Sequence, residues 1–146
     1  MAAAATRERN KAAAEPAGAE ELRKDAMMAH LLDALGRGED IGHYGRLVFT
    51  MVARHFLGEE ELIGLLAQDR DFSEEQAQSL VHQVRDRDYS PPRREKILEY
   101  QAQQEFPILP NPEDPDQGNV YRDLTFPNHV YEHISEYHGA KERAEA

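Results

Sequence analysis

From Ala19 to Leu35 apolar side chains recur at three- and four-residue steps, at Leu22, Ala26, Ala29, Leu32 and Leu35, and Gly36 and Gly38 follow. That spacing puts one apolar stripe on a helix closed by glycine. The next pattern is wider. Ile41, Tyr44, Leu47, Val48, Met51, Val52, His55 and Phe56 share one helical face, with Asp40 in the N-cap position and Gly58 just past the end. This second helix is expected at the centre of the core. Glu59, Glu60 and Glu61 stand where a helix N-terminus favours anions, ahead of Leu62, Ile63, Leu65 and Leu66, which predicts a short third helix to about Asp69. Ser73 followed by Gln76 is a capping-box pair, and Ala77, Leu80, Val81 and Val84 continue it as a fourth helix. Ser90 as N-cap and Pro91 at the first helical position open a fifth, with Ile97, Leu98 and Tyr100, lasting to about Glu105.

The texture changes after Phe106. Pro107, Pro110, Pro112 and Pro115 exclude a helix across this stretch, so the chain is expected to run extended or in turns to about Phe126, with a turn at 116–119. Yet Phe106, Ile108, Leu109, Val120, Tyr121, Leu124 and Phe126 punctuate it. A segment this apolar is expected to lie on a surface, either its own chain's or a neighbour's. A last helix is predicted from Pro127 or Asn128, using Val130, Tyr131, Ile134 and Tyr137, to about Gly139.

The fold expected from these periods is all-α: a small irregular orthogonal helical bundle over 18–105, an extended Pro-rich C-terminal strap over 106–127, and a short terminal helix and tail over 128–146. Residues 1–17 are Ala-rich with no large apolar residue after Met1, and read as a disordered or nascently helical tail.

Composition narrows the chemistry. The chain has 146 residues and no cysteine, which excludes disulfides, cysteine zinc sites, iron–sulfur clusters and thiol nucleophiles. With no run of about 18 apolar residues and no apolar leader core, a cytoplasmic protein is expected; Arg7, Arg9 and Lys11 faintly suggest a transit peptide, against which Glu8 and Glu15 count. Net charge is −11, and from Glu105 onward only Arg122, Lys141 and Arg143 oppose the carboxylates. Such a field repels phosphate backbones and anionic membranes.

Three functional readings follow. The first is a non-catalytic accessory or adaptor subunit that binds a protein partner, or another copy of itself, through Phe106, Ile108, Leu109, Val120, Tyr121, Leu124 and Phe126 of the strap. Prolines lower the entropy cost of holding such a segment extended. The second is a nucleic-acid-associated, helix-turn-helix-like module. Arg85, Arg87, Arg93, Arg94 and Lys96 cluster at one junction, although Glu74 and Glu75 open the would-be recognition helix and Asp86, Asp88, Glu95 and Glu99 interleave the cations. The third is a zinc site. His129, Glu132 and His133 form an H-x-x-E-H pattern in which two histidines four apart can share one metal with the glutamate as base, but a third protein ligand is lacking except for the local Glu136 and His138. His55 falls on the core face, where a hydrogen-bonded structural histidine is the ordinary outcome. The glycines from Gly36 to Gly45 carry no phosphate-loop register. No cofactor is expected.

Overall fold

The computed structural model describes residues 16–111, 113–114 and 117–132. Among them the secondary structure is helical, with no strand. The elements are α1 (Ala17–Leu22), α2 (Ala26–Gly36), α3 (Gly42–Ala53), α4 (Glu59–Leu66), α5 (Glu74–Arg87), α6 (Arg94–Gln101) and α7 (Val120–Asp123). A further helical stretch begins at 128.

The single helix expected from Ala19 to Leu35 is two helices. The chain leaves α1 at Leu22, and Asp25 restarts it in extended backbone, its Oδ2 accepting the Met28 amide at 3.0 Å. An aspartate at this place satisfies an amide that a helix start leaves unpaired, so it ends one helix and begins the next. The continuous apolar spacing hid the break because Leu22 and the α2 residues Met28, Leu32 and Leu35 all reach the same core.

α3 packs against α2, α4, α5 and α6, and Val48, Phe49 and Val52 on it are fully buried. Its start is held from two directions. Asp40 Oδ1 accepts the Gly42 amide at 2.9 Å, while Gln104, some sixty residues away, accepts Tyr44 N–H at 2.8 Å and donates to Ile41 O at 2.9 Å. Gly42 has φ +81°, which favours glycine, and a Cβ there would sit 2.5 Å from Gln104 Oε1 and displace the amide that holds this start.

One polar cluster is buried among the helices. Arg46 and Asp69 are 9% and 2% exposed. Arg46 Nη1 donates to Asp69 Oδ2 at 3.1 Å and to Asp40 Oδ1 at 3.0 Å, and its guanidinium lies 4.4 Å from the Phe72 ring centroid. Asp69 also accepts from Ile41 N–H and Asp71 N–H. A buried charge must be paired and hydrogen-bonded to be tolerated, and here the pair joins the start of α3 to the turn after α4.

The N-cap of α3 is Ile41, one residue past the expected Asp40, while the starts of α5 and α4 follow the sequence signals. Ser73 and Gln76 form the reciprocal capping box. Glu61 reaches back to Gly58 N–H at 2.8 Å, half of such a box, since glycine has no side chain to return the bond. The start of α6 differs from expectation: the N-cap is Arg93, not Ser90, and Pro91 and Pro92 lie buried ahead of the helix. Two consecutive prolines place Pro91 itself before a proline, which disfavours the helical region there.

After α6, residues 106–111, 113–114 and 117–119 contain no helix, but α7 is a short helical turn where an extended course was expected. Ile108, Leu109 and Val120 are fully buried, and Leu124, Phe126 and Val130 nearly so, in one apolar cluster with the helices. Ile134, Tyr137 and Gly139, assigned to the last helix from sequence, lie outside the described residues, as do 1–15.

Candidate binding cleft

The C-terminal segment has few backbone partners of its own, and side chains supply them. Leu109 N–H donates to Gln101 Oε1 at 2.7 Å, Gln104 Nε2 donates to Phe106 O at 3.0 Å, and His30 Nε2 bonds Pro107 O at 2.8 Å. Asn111 N–H donates to Gln117 Oε1 at 2.6 Å. Arg94 spans the loop, donating from Nε to Gln117 O at 3.0 Å and from Nη2 to Asp114 O at 3.1 Å. These bonds meet backbone groups on a non-helical course, Asp114 O accepting from Gln117 N–H as well. Gly118, at φ +80°, lets the chain turn over Leu109, whose Cδ2 would lie 2.8 Å from an added Cβ.

The turn delivers α7 against the front of α6. Tyr121 Oη donates to Pro91 O, and burial pushes that phenol up to about 12, so it keeps its proton. Phe126 N–H donates to Tyr131 Oη at 2.9 Å, leaving the Tyr131 ring 38% exposed. Between these pieces lies an open cleft of about 450 Å³, with Arg93, Arg94 and Glu95 on one wall and Gly118, Asn119, Tyr121 and Tyr131 on the other. Arg93 is exposed at its edge and, among the described residues, makes no ion pair. The cleft therefore offers one guanidinium, two phenol rings, the amide of Asn119 and the uncapped start of α6.

The five cations of the junction are not one patch. Arg85 is neutralised by Glu59, at 3.1 and 2.9 Å, and by Asp86 at 3.0 Å; Lys96 pairs with Glu99 at 3.2 Å over the Tyr100 ring. Among the described residues Arg87 reaches only Tyr89 Oη, at 3.4 Å, and Arg94 donates to the segment's carbonyls. Arg93 alone of the set combines exposure with a place in the cleft. The seven apolar anchors named from sequence are spent within the chain: five are buried, and Phe106 and Tyr121 are half-buried, Phe106 stacking on His30 at 5.3 Å.

His129 is exposed, and its ring centroid lies 5.9 Å from that of His55. His133 lies outside the described residues. His55 is pulled down to about 4, first by burial and then by the positive fields of Arg54 and His129, and its buried Nε2 has no hydrogen-bond partner among the described residues. Among the described residues no three His, Asp or Glu side chains are grouped to hold a metal ion.

The sequence placed Asn119 in a turn and Tyr131 on a helix but did not show the wall they form, because the cleft is assembled by contacts across more than twenty residues. The cap at Asp25 carried a local sign, an Asp just ahead of an apolar run. No protein-family model matches the chain, and neither curated proteins nor solved structures yield a match.

Proposed function

We propose that this chain is a non-catalytic accessory or adaptor subunit of the cytoplasm, working through protein–protein contacts made by its C-terminal strap. In this reading an irregular orthogonal bundle carries the strap, the strap's aliphatic anchors fix it to the bundle, and the contact surface is the cleft that strap and α6 enclose. The carrying observation is the cleft's equipment: an exposed Arg93, which makes no ion pair among the described residues, and the exposed Tyr131 line the same open space of about 450 Å³. Arg and Tyr are the side chains that contribute most at protein interfaces, because each combines large contact area with hydrogen-bonding reach. The matching partner is an extended protein segment that brings a carboxylate to Arg93 and an apolar face to the tyrosines. The test is co-purification from native cells with the full chain and with Arg93→Glu combined with Tyr131→Ala. A partner retained by the first and lost by the second, at equal thermal stability, supports the reading; an unchanged partner set removes it.

A second reading is single-stranded nucleic acid, favoured by the same combination of an exposed guanidinium with aromatic rings, which is how such strands are held without sequence preference. Against it stand the net charge of −11, Glu95 in the cleft wall and the neutralised Arg85 and Lys96. Fluorescence anisotropy with a labelled oligonucleotide at low salt decides it: binding that falls with salt and disappears in Arg93→Glu supports nucleic acid, and no binding ends it.

A further inference from the structure

The sequence pattern of His129, Glu132 and His133 lacked a protein ligand from elsewhere in the chain, and the fold brings a histidine to it. His55, just past the end of α3, and His129, in the helical stretch that begins at 128, have ring centroids 5.9 Å apart. Their planes are inclined at 54°, so the rings do not stack face on face as His30 and Phe106 do at 16°. Two imidazoles that each ligate one zinc ion at about 2.0–2.1 Å bring their centroids about 5–6 Å apart. One ion can therefore span this separation after small ring rotations. A second observation is independent of the distance. His55 Nε2 is buried and has no hydrogen-bond partner among the described residues, where a buried ring nitrogen ordinarily has one. Phe126, its ring centroid 5.7 Å from that of His55 in a T-shaped contact, is apolar and cannot supply the bond.

We propose that His55 and His129 are the two protein ligands of a site for a divalent metal ion of the class that accepts imidazole nitrogen, which includes zinc, and that the ion ties the helical stretch from 128 to the end of α3. His129 is exposed, so water completes the coordination from the solvent side and the site is an open one. Only a neutral imidazole binds a metal. His55, held down to about 4 by burial and by the positive fields of Arg54 and His129, has no proton to give up at neutral pH. Arg54 opposes a cation here, but its Nη2 is paired with the Asp88 carboxylate, and the chain's net charge of −11 favours one. Tyr131 stands two residues beyond His129, so an ion held at this place also steadies that wall of the cleft. The inference does not depend on what the cleft binds.

The test titrates the metal-stripped, tag-free full chain with zinc chloride and reads two signals. Imidazole nitrogen NMR should show the ring signals of His55 and His129 moving together and levelling at one ion per chain. The thermal midpoint should rise with zinc, as it must when a ligand binds only the folded chain. His55→Gln and His129→Gln should each weaken binding by about tenfold or more, since losing a ligand costs at least what losing its supporting partner does. His129 is exposed, so its variant keeps the test open should His55→Gln fail to fold. The proposal is overturned if zinc in excess does not bind, if it binds without moving the His55 ring signals, or if a folded variant of either histidine binds as tightly as the unaltered chain. Zinc held by His129 and His133 alone would give the second of these results.

Discussion

In the helices between Ala17 and Gln101 the backbone pairs mainly with itself and side chains serve chiefly at the helix ends; among the described residues of 106–119 the backbone bonds Asp114 N–H to Asn111 O and Gln117 N–H to Asp114 O stand beside a larger set of bonds supplied by side chains. Both regions bury aliphatic groups completely, Leu31 and Leu35 in the first and Ile108 and Leu109 in the second. What differs is the source of the polar bonds. Asp25, Ser73 and Glu61 act within three residues of the amides they serve or receive, whereas Gln104 and His30 reach across sixty to eighty residues. A segment held in this way can keep an irregular course and still be fixed, which is what a binding surface built from loop residues requires.

The largest expected effect lies in the first region. Asp69→Ala leaves Arg46 buried with only half of its pairing and should cost about 3–5 kcal/mol in urea unfolding. An unchanged midpoint would mean that the helices do not need their buried ion pair. Next comes the join between the regions. Gln104→Ala strips partners from Ile41 O, Tyr44 N–H and Phe106 O together, for about 1–3 kcal/mol, and should speed amide exchange at both ends of the contact. Loss confined to one side would separate the two regions energetically.

A smaller effect depends on pH. His55 sits where the end of α3 meets Phe126 and His129, and its folded value is depressed to about 4 from 6.5. The unfolded chain takes up a proton in this window that the folded chain refuses, so stability present above 6.5 is lost as pH falls toward 4. Asp25, which burial pushes up to about 7 from 3.8, acts with the opposite sign over an overlapping window. Replacing His55→Gln should remove about 1–2 kcal/mol of acid destabilisation, seen as a flatter or rising stability between about pH 7 and about pH 4. An identical pH profile would show that His55 does not titrate in contact with the C-terminal segment.

The same contrast explains what could be read from the sequence. The all-helical class, the Ser73–Gln76 box, the glutamates opening α4 and the long apolar face of α3 are local signals, set by spacing within one or two turns. The break at Asp25 was masked because apolar spacing continued on either side of it. The start of α6 was misplaced by two consecutive prolines that allow a cap only after them. The helical turn at α7 begins five residues after Pro115, the last of a run of prolines, and is held by Tyr121 bonding Pro91, a contact across thirty residues. Of the candidate site, Arg93, Arg94 and Tyr121 carried a sign in the sequence. Asn119 was read as part of the turn at 116–119, and Tyr131 as a position of the last helix.

The most direct measurement of the central claim, that the C-terminal segment is part of the chain's own core, exploits the absence of cysteine. Leu109→Cys and Leu35→Cys each place a single thiol at a fully buried leucine, one in each region. The two should react with a thiol reagent at the same slow rate, both waiting for unfolding of the whole chain. Rapid labelling at 109 with protection at 35 would contradict it.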